Sequence, residues 1–437
     1  MMARTALDLF PVTTAINSAG SLEISGHSLS TLAKQWGTPL YLYDAETVFS
    51  QVNLLKTLLT QNYPGKYEIT YAAKAYFSRA MANRLERMGL GVDVVSMGEL
   101  EVARLAGFIP EKIHLHGNNK SQAELKSAID WGIQAIVVDS LEELAFLEQL
   151  CARTGKTARV WLRITPGLMV DTHAYRQTAH PASKFGLPVA DGQAAEGIRR
   201  AKASEWLHLS GLHTHLGSQV FEIEPYRKAV EILLELAEAE NWIPEEISPG
   251  GGWGVPYTLD DPEENPVPWI EALTQVIKDG CSRRGWPLPK LIIEPGRMIV
   301  ARAGVVVYTV GTSKKAADGT YFTAVDGGMA DNLRPALYQA HYTAVRVDLP
   351  NSPVSRKTTL VGKFCETGDR LIEEVWLPPV DRGDLIAMPV AGAYHLAMSS
   401  NYNLAPRPAV LWLQTGKVEV MQPREEPHLQ GWWVSES

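Results

Sequence analysis

Short apolar runs alternate with helical segments between residues 67 and 297. Each run is followed by small or polar residues and then by a stretch with apolar positions at helical spacing. Strands that alternate with helices eight times over about 230 residues predict a (β/α)8 barrel of the α/β class, with an open doubly wound sheet as the alternative. The predicted strands are Tyr67–Ala73, Gly91–Val95, Ile113–Leu115, Ala135–Val138, Ala158–Ile164, Leu209–Thr214, Glu246–Ser248 and Leu291–Ile293.

The pattern changes after residue 300. Strand-like runs broken by Gly, Pro and Asp replace the helical periods, which predicts a second, mainly β domain of sandwich-like or barrel-like form. The first 38 residues, with a candidate strand at Ser21–Ile24, are expected to join it. We therefore predict a barrel domain at residues 39–300 and a β domain formed by residues 1–38 and 301–437. The later predicted strands are Ala303–Val310, Tyr321–Val325, Leu360–Phe364, Asp384–Val390 and Ala409–Leu413.

Composition narrows the class of protein. The 437 residues carry 41 Lys+Arg against 49 Asp+Glu, a formal charge of −8 that argues against a nucleic-acid-binding surface. The three cysteines (151, 281 and 365) are scattered, without a C-x-x-C pair, so neither a disulfide framework nor a structural zinc site is expected. Met1–Phe10 lacks the apolar stretch of a signal peptide, and no apolar run approaches the roughly 20 residues of a membrane span. We expect a cytoplasmic protein that binds neither nucleic acid nor membrane.

Polar residues or glycines follow every predicted barrel strand. In such barrels chemistry takes place at the carboxyl ends of the strands. One polar residue at a strand end is often structural, but eight in register favour a functional rim. In chain order they are Lys74, Ser96 with Glu99, His116 with Asn118, Asp139 with Ser140, Arg163, His213 with His215, Gly250–Gly252, and Glu294 with Arg297.

Three of these positions suggest one cofactor. Gly250–Gly252 follows the seventh strand, where glycines expose backbone N–H groups to a phosphate, although the run could also be a flexible turn. Lys74 ends the first strand, where a desolvated lysine can form a Schiff base, although a salt-bridged lysine is the commoner finding. Glu294 could pair with a ring nitrogen. Together they suggest pyridoxal phosphate.

His213 and His215 are two residues apart on the sixth predicted strand. Alternate residues of a strand share a face, so the pair could bind a metal. Metal-dependent hydrolases with this barrel carry their His-x-His on the first strand, which favours stacking on a cofactor or a packed histidine instead. We predict no metal site.

The chain resembles a known family, the fold type III (alanine racemase-like) pyridoxal-phosphate-dependent decarboxylases. The resemblance runs from about residue 39 to 410, and its motifs follow the family's order. In the predicted barrel these are Tyr71-Ala-Ala-Lys74-Ala, Gly91-Val-Asp-Val-Val-Ser96-Met-Gly-Glu99, His116-Gly-Asn-Asn-Lys-Ser121, Ser183-Lys-Phe-Gly186, His213-Thr-His-Leu-Gly-Ser-Gln219, Gly250–Gly252 and Glu294-Pro-Gly-Arg297. In the β domain they are Asn332-Leu-Arg-Pro-Ala-Leu-Tyr338, Cys365-Glu-Thr-Gly-Asp369, Gly392-Ala-Tyr394 and Met398-Ser-Ser-Asn-Tyr-Asn403.

The resemblance implies an activity. It is strongest to members that decarboxylate meso-2,6-diaminopimelate at its D-configured centre, giving L-lysine and CO2 in the last step of lysine biosynthesis. Glu366 after Cys365, together with Arg334 and Tyr338, separates the chain from members that act on ornithine. A related decarboxylase for ornithine, lysine or carboxynorspermidine is the alternative. A non-catalytic relative is disfavoured, because such proteins tend to lose the lysine or the cysteine.

The resemblance also implies residue roles and a homodimer with active sites shared across the interface. Lys74 would form the Schiff base with the cofactor. Cys365 from the partner subunit would protonate the carbanion left by CO2, and a thiol is largely protonated at neutral pH. The other implied cofactor ligands are His215, Ser218, Gly252, Glu294, Pro295, Gly296, Arg297 and Tyr394, and the implied substrate ligands are Arg297, Arg334, Tyr338, Glu366 and Tyr394.

The chain departs from the family pattern at a few positions. Met97 replaces a usual glycine, Thr165 a common asparagine and Thr367 a usual serine, and His395 follows Gly392-Ala-Tyr394. The approach to Ser183 reads Thr178-Ala-His-Pro181. None of these removes a residue assigned to catalysis, but the 165–183 loop could alter substrate access.

Overall fold

The computed structural model describes residues 4–168 and 183–426, so the unusual Thr178–Pro181 stretch lies outside the described residues. The chain divides into two compact units. The barrel unit comprises Val52–Gly254 and Glu264–Gly296. The β unit comprises Met1–Gln51, Val255–Glu263 and Arg297–Ser437. In the described part of the chain, no helix is both long enough and apolar enough to cross a membrane.

The described strands and helices are numbered in chain order. The strands are β1 (Ala15–Ile16), β2 (Leu22–Ile24), β3 (His27–Ser28), β4 (Leu40–Asp44), β5 (Tyr67–Ala72), β6 (Gly91–Val94), β7 (Ile113–Leu115), β8 (Ala135–Val138), β9 (Ala158–Thr165), β10 (Leu187–Pro188), β11 (Leu207–His213), β12 (Glu246–Gly250), β13 (Lys290–Ile293), β14 (Gly304–Lys315), β15 (Tyr321–Val325), β16 (Val345–Arg346), β17 (Arg356–Val361), β18 (Arg370–Leu377), β19 (Leu385–Met388), β20 (Ala409–Gln414) and β21 (Lys417–Gln422). The helices are α1 (Leu29–Trp36), α2 (Ala45–Asn62), α3 (Arg79–Arg87), α4 (Met97–Leu105), α5 (Gln122–Trp131), α6 (Leu141–Thr154), α7 (Gln193–Ala203), α8 (Glu224–Ala239), α9 (Val267–Arg284), α10 (Arg297–Val300) and α11 (Arg334–Tyr338).

Eight parallel strands close the barrel. The order is β5-β6-β7-β8-β9-β11-β12-β13, and β13 pairs back to β5. The short β10 adds to β9 outside this ring. All eight strands predicted from the apolar runs are present, so the predicted (β/α)8 barrel is confirmed and the open sheet is excluded.

The amino-terminal ends of the barrel strands are held together by a buried ionic and aromatic cluster. Glu246 opens β12 and is buried, and it accepts hydrogen bonds from Trp161 Nε1 at 2.8 Å and Gln134 Nε2 at 2.5 Å. Lys290, which opens β13, lies 3.9 Å from the same carboxylate. Polar groups at this end of a barrel contribute to stability, and active sites lie at the opposite end.

Serine side chains start several barrel helices. Ser96, Ser121 and Ser140 each accept a hydrogen bond from the backbone N–H three residues later, which satisfies one of the free donors of the first turn. Ser96 and Ser140 were two of the polar groups at predicted strand ends. Their role in the structure is therefore helix capping.

The β unit is built on a mixed sheet in the order β18-β17-β15-β14-β4-β20-β21, with β19 paired to β14 and β16. Its core includes Leu40, Leu42, Val305, Val307 and Leu411, all fully or almost fully buried. The predicted mainly β second domain is confirmed. β18 and β21 were not predicted.

The predicted boundary at residue 39 differs from the observed units. β4 pairs antiparallel with β14 and parallel with β20, so Leu40–Asp44 forms part of the β-unit sheet. The Val255–Glu263 segment, inside the predicted barrel range, also belongs to the β unit. Backbone pairing with strands that lie more than 250 residues later outweighs proximity in the chain.

Candidate functional site

Lys74 lies in the single turn that directly follows barrel strand β5. Its side chain is exposed, while its neighbours Ala73 and Ala75 are buried. Burial and the positive charges of Lys74 and Arg163 hold the pKa of His215 well below its ordinary value. The structure therefore brings Lys74 and His215 together, and it keeps the imidazole uncharged at neutral pH.

The glycine run at the end of β12 forms a tight cradle. Gly252 has φ +96°, and a Cβ placed on it would lie 1.9 Å from the carbonyl oxygen of Gly217. A Cβ on Gly251 would lie 2.0 Å from the carbonyl oxygen of Glu294. The turn that carries Ser218 and the turn after β12 are thus in direct backbone contact, which no residue with a side chain permits.

Glu294 follows β13 and is a buried, well-bonded carboxylate. It is joined to His213 Nε2 at 3.0 Å and accepts the Ser248 hydroxyl at 2.5 Å. Burial acts to raise the pKa of Glu294, but the imidazoles of His213 and His116 and these two hydrogen bonds outweigh it, so the pKa lies well below its ordinary range. Burial lowers the pKa of His213 in spite of the carboxylate. We therefore describe the pair as a carboxylate and a neutral imidazole.

Asp93 and His116 extend this cluster and were not assigned a role from the sequence. Asp93, in β6, lies 3.3 Å from His116 Nε2, and the His116 ring meets the His213 ring edge-on at 4.9 Å. The ligand atoms of His116, His213 and Glu294 all lie within 4.8 Å of one another, a spacing that a metal ion could bridge. His215 is not part of this group, because β11 ends at His213. The absence of a metal stays a prediction.

The barrel cluster combines three chemical capabilities. Lys74 offers an exposed amine, Glu294 a buried carboxylate that can hold a proton on a basic nitrogen, and Gly250–Gly252 a turn without side chains that packs against the turn carrying Ser218. A neutral His215 can lie against a flat ring. These features suit a carbonyl-bearing, phosphorylated heteroaromatic molecule.

Arg334 is the buried cation of the β unit. It opens helix α11 and is 2% exposed, and its guanidinium lies 4.5 Å from the ring centre of Tyr257 and donates to the Tyr342 hydroxyl. Among the described residues no carboxylate lies within ion-pair distance of it. A buried cation without a counter-ion is costly, and this one is positioned to receive an anion.

Arg297 is the second buried arginine of this unit. It opens helix α10, donates to the Tyr257 hydroxyl, and lies 4.6 Å from the ring centre of Tyr394. Tyr257 therefore touches both Arg297 and Arg334 and spaces the two cations. Sequence reasoning missed Tyr257 because it comes from a loop after β12 with no motif of its own.

Cys365 and Glu366 lie on the loop between β17 and β18, and both are exposed. The loop is fixed by Asp369, whose carboxylate accepts the backbone N–H groups of Met329 and Phe364 at 2.7 and 2.8 Å. Glu366 accepts a hydrogen bond from the Tyr402 hydroxyl.

The remaining predicted residues are placed as follows. Tyr338 ends helix α11 and is half-buried, like Ser218 and Tyr394. Pro295 and Gly296 are buried, and a Cβ on Gly296 would lie 3.1 Å from Ala72. The other two cysteines, Cys151 in α6 and Cys281 in α9, are buried, as expected of structural residues.

Comparison with known proteins agrees with this arrangement. Residues 48–301 match the family model described as "Pyridoxal-dependent decarboxylase, pyridoxal binding domain". The chain is 41% identical over 414 residues to the diaminopimelate decarboxylase of Bacillus subtilis, covering 94% of each chain.

Two solved structures extend the similarity to the whole fold. The diaminopimelate decarboxylase of M. jannaschii has a TM-score of 0.87 at 30% identity, with 95% of this chain and 96% of that chain covered. The Helicobacter pylori diaminopimelate decarboxylase complexed with L-lysine has a TM-score of 0.82 at 30% identity, with 91% and 97% covered.

Proposed function

The chain belongs to the diaminopimelate decarboxylase family of pyridoxal-phosphate-dependent carboxy-lyases, and from this premise we propose how its own residues convert meso-2,6-diaminopimelate to L-lysine and CO2. Family membership covers nearly the whole chain and gives the cofactor and the reaction. The individual residue roles below are proposals, and each is supported by a contact or by burial.

Pyridoxal phosphate fits the barrel cluster. The amine of Lys74, the crowded glycine cradle beside Ser218 and the buried carboxylate of Glu294 match its aldehyde, its phosphate and its ring nitrogen. When bound, the cofactor supplies an electron sink for the pair that remains on the substrate when CO2 leaves.

We assign the cofactor contacts accordingly. Lys74 Nζ would hold the cofactor covalently, and the neutral His215 ring would pack against it. Glu294 would keep a proton on the ring nitrogen, a role that its low pKa and its bonds to His213 and Ser248 support. The phosphate and the ring edge are assigned to Ser218, Gly252, Pro295, Gly296, Arg297 and Tyr394.

The substrate contacts are assigned to the β unit. Arg297, Arg334 and Tyr338 bind the distal carboxylate, Glu366 receives the distal ammonium, and Tyr394 contacts the substrate. The observation that carries this assignment is the buried Arg334 guanidinium, which has no carboxylate partner in the described part of the chain. Ornithine and lysine carry no distal carboxylate and would leave this cation unpaired, which disfavours the alternative substrates.

Cys365 is assigned as the acid that returns a proton to the substrate carbon after CO2 departs. We propose that it acts from the partner subunit of a homodimer. Its exposure on a loop held by Asp369 supports a role toward another chain. We further propose that the enzyme works in the cytoplasm.

The substrate assignment is tested by measuring CO2 release from meso-diaminopimelate, ornithine and lysine. The native enzyme should prefer meso-diaminopimelate, and Arg334→Ala should lose most of that preference, because a site that holds a buried ionic partner discriminates by about 10⁴-fold or more. Preference for ornithine by the native enzyme would refute the assignment of Arg334. His27→Leu is the control, because His27 is a half-buried histidine that lies far from Arg334 along the chain.

The shared site is tested by mixing two inactive variants. Lys74→Ala and Cys365→Ala should each abolish turnover, and reassembled mixtures should regain activity because one site of a mixed dimer carries neither change. No recovery, with subunit exchange verified, would place Cys365 in its own subunit's site.

A further inference from the structure

A line of hydrogen bonds runs through the interior of the β unit behind Arg334. The Arg334 guanidinium donates to the Tyr342 hydroxyl, which lies 2.8 Å from His395 Nε2. His395 Nδ1 lies 3.3 Å from the Tyr41 hydroxyl, and Tyr41 in turn donates to Asp331 Oδ2 at 3.0 Å. Every member is buried. The line joins a buried cation to a buried carboxylate.

The two ends fix the direction of every bond between them. A guanidinium can only donate and a carboxylate can only accept. Because Tyr342 accepts from Arg334, its own proton is available to His395 Nε2. His395 Nδ1 then carries the ring proton and donates to Tyr41. Each hydroxyl accepts one bond and gives one, and His395 is the uncharged Nδ1–H tautomer.

The surroundings keep His395 in this form. Burial and the charges of Arg334 and Arg297 hold the pKa of His395 well below its ordinary range. The ring also packs edge-on against Tyr342 and Tyr41, at 5.2 and 6.0 Å between ring centres. The histidine is therefore held in place on both sides and has one available hydrogen-bonding pattern.

Arg334 itself depends on this line for its orientation. Besides the Tyr342 hydroxyl, its guanidinium contacts the ring faces of Tyr257 and Tyr342 in the described part of the chain, at 4.5 and 5.5 Å from the ring centres. A ring face attracts a cation but leaves it free to rotate in its plane. The Tyr342 hydroxyl is the directional contact, and His395 orients that hydroxyl.

We propose that His395 is a positioning residue for substrate binding, which acts through Tyr342 to fix the guanidinium of Arg334 for the distal carboxylate. This inference rests on the proposed function, because it requires Arg334 to bind that carboxylate. It gives a role to one of the positions where the chain departs from the family pattern.

The test uses two ligands that differ in the distal carboxylate. L-lysine, bound as the product, has its single carboxylate at the distal position, and cadaverine has no carboxylate. In the cofactor-loaded enzyme, His395→Leu should raise the inhibition constant of L-lysine and the KM for meso-diaminopimelate by about tenfold, or about 1.4 kcal/mol, because the Tyr342 hydroxyl that orients Arg334 is no longer held. The inhibition constant of cadaverine and kcat should change by less than about twofold.

A conservative variant separates positioning from packing. Glutamine carries an acceptor and a donor at its end and can take over both bonds, so His395→Gln should restore L-lysine affinity, whereas His395→Leu should not. Tyr342→Phe breaks the same line, so its effect on L-lysine should not add to that of His395→Leu. Equal losses for L-lysine and cadaverine would overturn the proposal in favour of a structural role.

Arg334→Ala, measured in parallel, distinguishes the two ways to fail. If it leaves L-lysine affinity unchanged, the proposed substrate assignment fails. If it weakens L-lysine while His395→Leu does not, the assignment stands and the positioning role of His395 is wrong. His27→Leu serves as the matched control, because His27 also makes a hydrogen bond in the β unit, to the Gln414 carbonyl at 2.8 Å. This variant should bind L-lysine and cadaverine with the affinities of the native enzyme.

Discussion

Glu294 in the barrel unit and Asp331 in the β unit are both fully buried carboxylates, yet their pKa values shift in opposite directions. The pKa of Glu294 lies well below its ordinary range. Burial raises the pKa of Asp331 to about 6, although Tyr308, Tyr41 and the Gly328 N–H all donate to it. Burial alone therefore does not decide whether a carboxylate is charged.

The difference lies in the neighbours. Glu294 faces two imidazoles as well as a hydroxyl, whereas Asp331 has neutral phenols and a backbone amide, with the like charge of Asp326 nearby. Charged or chargeable donors offset desolvation more than neutral ones do. The barrel carboxylate is thus suited to hold a proton on a basic nitrogen, and the β-unit carboxylate is suited to end a hydrogen-bond line.

The largest expected effect comes from removing the barrel charge. Glu294→Gln keeps the shape but cannot keep a proton on the cofactor's ring nitrogen, so kcat/KM for meso-diaminopimelate should fall by about 10²–10³-fold or more. Steady-state CO2 release measures this. Asp331→Asn is the control and should retain far more activity, and similar losses in both variants would remove the contrast between the sites.

Asp331 should make the free energy of unfolding depend on pH. Its folded pKa of about 6 lies above the ordinary value of about 3.9, so the folded protein binds this proton more tightly and loses stability as the pH rises between these values. The free energy of unfolding of Asp331→Asn, relative to the native protein, should rise by about 2 kcal/mol from pH 4 to pH 7. Urea unfolding at several pH values measures this, and a flat difference would contradict the raised pKa.

Tyr308→Phe tests how much a neutral hydroxyl stabilises the charged form of Asp331. The variant loses the hydroxyl that donates to Asp331 at 2.6 Å, a bond that favours the charged carboxylate. Its loss of unfolding free energy should be about 1–3 kcal/mol at pH 8 and smaller near pH 5, where Asp331 is largely protonated. An equal loss at both pH values would assign the effect to packing. Thr60→Ala, which removes an exposed hydroxyl, serves as the control.

The smallest effect is expected at Ser248. Ser248→Ala removes one of the two hydrogen bonds that the Glu294 carboxylate makes among the described residues, so the pKa of the carboxylate rises by up to about one unit. The acid limb of the kcat/KM profile should move to higher pH by that amount or less, with the plateau retained. A shift to lower pH would contradict the role of this hydroxyl.

The barrel was predictable because its strands are compact β-branched runs with polar ends. Leu40–Asp44 was not predicted as a strand, and only its pairing with β14 and β20 identifies it as part of the β-unit sheet. β18 was missed because Glu373 and Glu374 interrupt its apolar pattern, although both side chains are exposed in the structure.

The site residues also differ in whether a local sequence motif identifies them. Those with a local motif, such as Lys74 and Gly250–Gly252, could be selected from the sequence, and their roles stay predictions. Tyr257 and Tyr342 were missed because their contacts join distant segments of the β unit. Asp93 offered a signal, since it is a lone acid inside the apolar run Gly91–Val95. His395 offered another, as a departure that proves to be fully buried.

The position of β4 sets an order of events during synthesis. This strand emerges from the ribosome before the barrel unit, yet its partners β14 and β20 begin only at Gly304 and Ala409. At about 5–20 residues per second, the roughly 260 residues between β4 and β14 take about 13–50 s to translate. During that time the apolar Leu40–Asp44 segment has no sheet to join.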